Sequence, residues 1–411
     1  MKNKIVFFSC FLLMSLTSFS QSISSSPYSL YGIGSVYDSD FGPLPSIGSS
    51  GMALPSANFI NNLNPASLGF MFQNHFMFDV GGKAISTTYE SGSKSEKRNN
   101  FQFSHIAFAF PVTKHSGFSV ALRPYSSAAF TISNLKLPIT DSQEFYYLSA
   151  KGTGGLNNLD FSYGYRFGKK LSVGATASLL FGNTEDDRTF VILNSISNIH
   201  KKTDYNGVRA TLGAQYVIDS TLTVATTIKV PSQINASKVQ SVQTVSDEVI
   251  TTIEAETGSS VDDYYMPLEF GVGISKRFKN NINMTFDYEK SFWDDTKQSE
   301  LYGDFVNQDR FALGFTYSAR KNIRKYRDRI QYSAGANFDT GYLEVDGKRV
   351  NNASISVGLS LPIENTFSAL NISYSYGQKG RVANDLIKEN YHKISLNLSL
   401  DGIWFVKRKI E

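Results

Sequence analysis

Ala353-Ser354-Ile355-Ser356-Val357-Gly358-Leu359-Ser360-Leu361 alternates without a break: each odd position is apolar and each even one is Ser or Gly. Alternate residues of a strand face opposite sides of a sheet, so this stretch is a strand with one greasy face and one small, polar face. The same period returns in 171–181, 268–274, 282–288, 311–317 and 394–400. Repeated segments of about ten residues with this alternation are the signature of a transmembrane antiparallel β-barrel, with lipid outside and a polar lumen inside. A water-soluble sandwich would carry Lys and Glu on its free faces. Here the chain holds 31 Phe and 22 Tyr, material for lipid-facing bands and aromatic girdles.

Fourteen such segments follow residue 74, an even number as single-chain bacterial barrels need. They cover 74–91, 99–113, 115–132, 157–168, 170–183, 203–217, 220–231, 264–277, 280–291, 309–319, 328–342, 350–361, 366–378 and 391–406. Tight turns at Gly168-Lys169, Asp219-Ser220 and Lys279-Asn280 alternate with long connections over 133–156, 184–202 and 232–263. Short turns belong to the periplasm and long loops to the cell exterior. Asp346-Gly347 reads as a hairpin tip. Trp293, Tyr264 and Tyr265 are expected at the outer interface, and Trp404 and Phe405 at the periplasmic one.

The first twenty residues, Met1-Lys2-Asn3-Lys4 followed by an apolar run and Ser18-Phe19-Ser20, read as a secretory signal peptide, with cleavage before Gln21. Cys10, the single cysteine, lies inside it; a lipoprotein reading fails because the apolar stretch before it is too short. The remaining chain then offers no disulfide, thiol nucleophile or cysteine metal site. Removing residues 1–20 takes away Lys2 and Lys4 and no acid, lowering the formal charge from +4 to +2, which gives no reason to invoke nucleic acid. Residues 21–72 do not alternate. Rich in Ser, Gly, Pro and Asn with short apolar patches, they read as a plug entering the lumen from the periplasmic side, and 73–411 as the barrel.

His75, His105, His115, His200 and His392 are scattered, and no metalloprotease, hydrolase or phosphate-loop motif is present, so neither an enzyme nor a cofactor is expected. Asp186-Asp187 and Asp262-Asp263 read as solvated acidic loops or calcium ligands. Inward parity gathers Arg123, Asp160, Arg166, Arg209, Glu269, Asp287, Glu289 and Asp339 into the lumen, where they either pair and seal it or mark a barrel that carries nothing hydrophobic. The segment 320–329 is the most basic periplasmic connection. Its Arg320, Lys321, Arg324, Lys325 and Arg327 suit an acidic partner or lipid phosphates.

Ser26–Phe70 contains SPYSLYGIG, GSSGMAL and NNLNPASLGF. Asn64-Pro65-Ala66, after a glycine-rich segment and before the first strand, resembles the Asn-Pro-Ala motif of the FadL-type long-chain fatty-acid transporters, and the layout resembles Bacteroidota members. The resemblance implies an N-terminal hatch seated by Asn64, Pro65 and Ala66 inside a fourteen-stranded barrel in the outer membrane of a Gram-negative bacterium; an Asn-Pro turn into a strand fits the same residues. Pro124 interrupts the third strand, and proline is avoided in central strands. In the family a kink there opens a lateral hole, so Pro124, Tyr125, Ser126 and Ser127 are a candidate gate or a closed bulge. The implied function is passive uptake of a fatty acid or other hydrophobic small molecule. The alternative is an accessory subunit of an envelope complex, in type IX secretion or barrel assembly; a general porin is disfavoured by the plug.

Overall fold

The computed structural model describes residues 26–403 apart from 39–40, 140–142, 194, 247–248, 255–258, 261–262, 301–302, 320–324, 364–366 and 383–385. The expected signal peptide with Cys10, residues 21–25 of the expected plug, Asp262, Arg320, Lys321, Arg324, Trp404 and Phe405 lie outside the described residues.

Fourteen antiparallel strands close into a barrel. They are β1 His75–Ser91, β2 Lys94–Thr113, β3 Ser116–Pro124, β4 Phe145–Phe167, β5 Leu171–Ile192, β6 Ser195–Val217 and β7 Leu222–Lys229. Then come β8 Glu269–Arg277, β9 Ile282–Ser291, β10 Gln308–Ser318, β11 Gln331–Asp339, β12 Asn352–Pro362, β13 Ala369–Lys379 and β14 Lys388–Ile403. β1 pairs with β14 from His75↔Ile403 to Glu90↔Lys388, which closes the wall. In hydrocarbon only such closure satisfies every backbone group of a sheet.

The alternation sets the facing. Phe161, Tyr163 and Phe167 are exposed, whereas Asp160, next to Phe161, is buried; Tyr332 and Phe338 are exposed, whereas Ser333 is buried. Small residues dominate the inner face because polypeptide backbone lies against it. A Cβ on Gly335 would stand 2.2 Å from the carbonyl carbon of Ile47, and one on Gly174 2.5 Å from that of Pro65.

The long connections are not irregular loops. β4, β5 and β6 continue as ladders through 145–157, 182–192 and 195–206, and Ser232–Ser246 pairs with β6 out to Ser246↔Ser195. The period persists there, but polar residues occupy both faces, so a hydropathy reading stops at the membrane edge while the backbone ladder does not. Trp293 and Tyr264 also depart from expectation: both are buried together with Phe305, while Tyr265 alone is exposed. Asp346-Gly347 turns a hairpin between Leu343–Val345 and Lys348–Arg349, both residues at positive φ.

Candidate functional site: a filled lumen and an interrupted wall

Among the described residues of 26–71, short 3-10 turns form at Pro27–Leu30, Leu44–Ile47 and Pro65–Phe70, packed against inward-facing residues of the wall. Phe41, Leu44, Ile47, Ile60, Leu68 and Met71 form one apolar core with Met77, Ala107, Ala109 and Ala121 of the wall. Burying each large apolar side chain contributes about 1.5–3 kcal/mol. The wall also offers polar partners at each level. Asp287 Oδ2 accepts the N–H groups of Gly51 (2.6 Å) and Met52 (2.8 Å). Gln215 donates to the Met52 carbonyl at 2.8 Å, Ser172 to that of Ala66 at 2.6 Å, and Asn397 to that of Gly42 at 2.9 Å.

Asn64 caps the turn Pro65–Phe70: its Oδ1 accepts the Ala66 N–H at 3.0 Å, and Pro65 occupies the first helical position, where no donor is needed. Its Nδ2 donates to the Ala214 carbonyl of β6 at 3.1 Å. Both Asn64 and Ala66 are fully buried. A second anchor lies at the bulge in β2, where the register with β1 shifts between Gly81 and Gly82 and both Ser104 and His105 turn inward. His105 stacks on Phe41 with ring centres 3.8 Å apart, and its Nε2 lies 2.6 Å from Asp79 Oδ1.

Above this layer is a cavity of about 360 Å3 lined by charged groups together with apolar side chains such as Ile85, Leu180, Trp293 and Leu343. Arg123 pairs with Asp160 at 3.1 Å, Arg209 with Glu269 at 2.8 Å, and Lys229 with Glu269 at 2.5 Å and Glu289 at 3.2 Å. Arg310 pairs with Asp38 at 3.0 Å. Of the eight charges expected to line the lumen, these pairs bring together Arg123, Asp160, Arg209, Glu269 and Glu289. Asp287 turns to the N-terminal backbone instead, Asp339 accepts from Gln308 at 2.7 Å, and Arg166 lies over the Phe70 ring. Lys229, Arg310 and Asp38 were missed. Lys229 shares the parity of buried Thr227, so alternation alone would have placed it inside.

Toward the loop end the lumen carries an apolar roof: Tyr28, Ile33, Trp293, Phe305, Leu343 and Val350 belong to one buried cluster. Tyr28 donates to the Ile387 carbonyl at 2.6 Å, and burial, with Glu389 adding to it, pushes its phenol well above the ordinary range.

The wall is interrupted beside the roof. The β2–β3 ladder ends at Ile106↔Leu122, and Pro124 makes the last pair of β3, with Asn157 of β4. The chain then bends inward away from β2 while staying bonded to β4, the Tyr125 N–H donating to the Leu156 carbonyl at 2.7 Å and the Ala128 N–H to that of Gly154 at 3.0 Å. Tyr125 O accepts the Tyr37 N–H at 2.9 Å, Ser126-Ser127 pair with Ser35-Val36, and Ser126 Oγ donates to the Ile33 carbonyl at 2.6 Å. Its regular ladder with β4 resumes at Phe130–Pro138. Tyr37, Phe41, Phe103, Arg123 and Pro124 meet at the resulting cleft.

Elsewhere, Asp186 pairs with Arg188 and Asp187 with His200, so neighbouring carboxylates are spent on different partners. Among the described residues no group of three or more His, Cys, Asp or Glu could hold a metal ion. Lys325 and Arg327 are exposed, and Arg327 lies 3.7 Å from Asp328.

A closed fourteen-stranded barrel whose third strand breaks inward defines the class: an outer-membrane-type β-barrel with the FadL-type fold. The chain belongs to the BamG family, whose model matches residues 1–411. Its fold is similar to that of the Pseudomonas putida toluene transporter TodX (TM-score 0.65, 13% identity, 90% of this chain and 100% of that one). The Ralstonia pickettii toluene transporter TbuX is similar too (0.57, 16%, 88% and 98%), as is a Pseudomonas aeruginosa FadL homologue (0.60, 11%, 90% and 100%). No curated protein sequence matches.

Proposed function

We propose that this protein is an accessory barrel of an outer-membrane machine of Bacteroidota type, in barrel assembly rather than secretion, and that it works as a closed scaffold. The observation that carries this reading is the lumen. A path for apolar cargo needs apolar walls. Here the free space is bounded by ion pairs around Glu269, with the N-terminal segment on one side and the Trp293 roof on the other. Membership of the BamG family agrees with a role in barrel assembly. In this reading residues 21–72 are a permanent hatch, seated by Asn64, Pro65 and Ala66, after removal of a signal peptide. In the same reading Lys325 and Arg327, which follow Arg320, Lys321 and Arg324 in the sequence, dock a periplasmic partner.

The test is affinity purification of the tagged protein from native outer membranes in mild detergent, followed by mass spectrometry. Other envelope proteins in fixed proportion are expected. Recovery of the protein alone, with lipid or fatty acid in its lumen, would overturn the scaffold.

A second reading, uptake of hydrophobic small molecules with lateral exit at Pro124 to Ser127, is favoured by the interrupted wall and by the fold shared with transporters of toluene. Uptake of a labelled long-chain fatty acid, compared with a deletion strain, separates the two.

A further inference from the structure

The interrupted wall leaves a strand edge unpaired at membrane depth. Outward residues of β2 run Phe101, Phe103, Phe108 and Phe110, all exposed, and so mark its lipid belt. β1 pairs with β2 along the whole belt and beyond, from Ser91↔Lys94 to Met77↔Ala109. On the other side β3 reaches only to Ile106. From Asn100 to His105 that edge has no ladder partner among the described residues, and Phe101 to His105 lies within the belt. Across the seam, Phe130–Pro138 pairs with β4 alone.

Lipid tails neither donate nor accept hydrogen bonds, and each backbone group left unpaired in hydrocarbon costs several kcal/mol. Side chains relieve part of this at best: Tyr37 bonds to Gln102 and Ser127 from inside, but Asn100 Oδ1 is buried with no partner among the described residues. What matches a row of alternating N–H and C=O groups is another extended backbone. The rim above the belt is cationic. Within 94–98 three cations, Lys94, Lys97 and Arg98, stand with one acid, Glu96, which Arg98 engages at 2.6 Å, while Glu90 is taken by Lys388.

We infer that the seam between β2 and β3 is a strand-docking site, and that it receives an edge strand of a different membrane β-chain, with apolar residues toward lipid and carboxylates at its outer end. This rests on the accessory-barrel reading and names the kind of partner that reading lacks. It also assigns the inward bend of Tyr125 to Ala129 a purpose, since those residues stay bonded to β4 but turn away from the edge of β2 that the partner pairs with.

The test is photo-crosslinking in native outer membranes, with p-benzoylphenylalanine replacing Phe103 in the full chain and, as control, Phe311 on another part of the wall. Heat-modifiable electrophoretic mobility verifies that both variants fold. The expected result is a polypeptide adduct severalfold stronger from position 103, whose sequenced peptide is an alternating transmembrane strand of another protein. Equal yields at both positions, adducts with lipid alone, a soluble-protein peptide, or a second copy of this chain would each overturn it. Fixed-proportion copurification without a seam adduct sinks the docking site and leaves the accessory reading standing. Purification of the protein alone sinks the accessory reading itself.

Discussion

His105 Nε2 and Asp79 Oδ1 lie 2.6 Å apart with both side chains at zero exposure. The pair exists because a bulge turns His105 inward against Phe41, while Ser399 donates to the other oxygen of Asp79 at 2.5 Å. It ties β1, β2, β14 and the N-terminal segment at one point. Removing one partner of a buried pair leaves the other uncompensated, a loss of about 3–5 kcal/mol. His105→Ala is therefore expected to lower the temperature at which the folded barrel loses its heat-modifiable mobility. An unchanged transition would show that the pair holds nothing.

Asn64→Ala removes a cap and two bonds to wall carbonyls. A cap alone is worth about 0.5–2 kcal/mol. The barrel should still fold, but residues 41–71 should become easier to reach. With Cys10 the only cysteine, Ser50→Cys gives a clean maleimide probe. Faster labelling in the Asn64→Ala background is the expected outcome.

Gly335→Leu should act more strongly. A Cβ there would sit 2.2 Å from the Ile47 backbone, which cannot swing aside as a side-chain tip can. Labelling at position 50 should rise further than in Asn64→Ala. Gly402→Leu, where a Cβ meets nothing and the backbone is not left-handed, should leave labelling unaltered.

Glu269→Ala strips Arg209 and Lys229 of a shared carboxylate. Stability should fall by about 3–5 kcal/mol, because two cations then face a poorly hydrated cavity. Glu269→Gln should cost less, since its amide oxygen still accepts a bond. Equal losses would mean that charge plays no part.

Pro124→Val restores a backbone donor at the end of β3. The scaffold reading expects uptake of hydrophobic compounds to remain at the level of the unaltered protein in a working assay. A clear slowing would instead favour lateral exit.

The sequence by itself determined the barrel. Strand number, order and facing follow from a two-residue period, because a strand has only two faces and lipid rewards only one kind of residue on the outer face. It also put Asp160, Arg209 and Glu269 inside, and Pro124 at the break. What it did not hold is which inward group meets which. Lys229 shares Glu269 with Arg209 across three strands, and Arg310 finds Asp38 in a segment with no periodicity. The ladders beyond the membrane were lost because polar residues there occupy both faces. Trp293 was misplaced because composition assigns an aromatic residue to an interface, whereas the packing of Tyr264 and Phe305 turned it inward. The unpaired edge of β2 was equally invisible: residues 99–105 read as ordinary strand, and only the path of Tyr125 to Ala129, drawn inside by Ile33 and Tyr37, removes its neighbour.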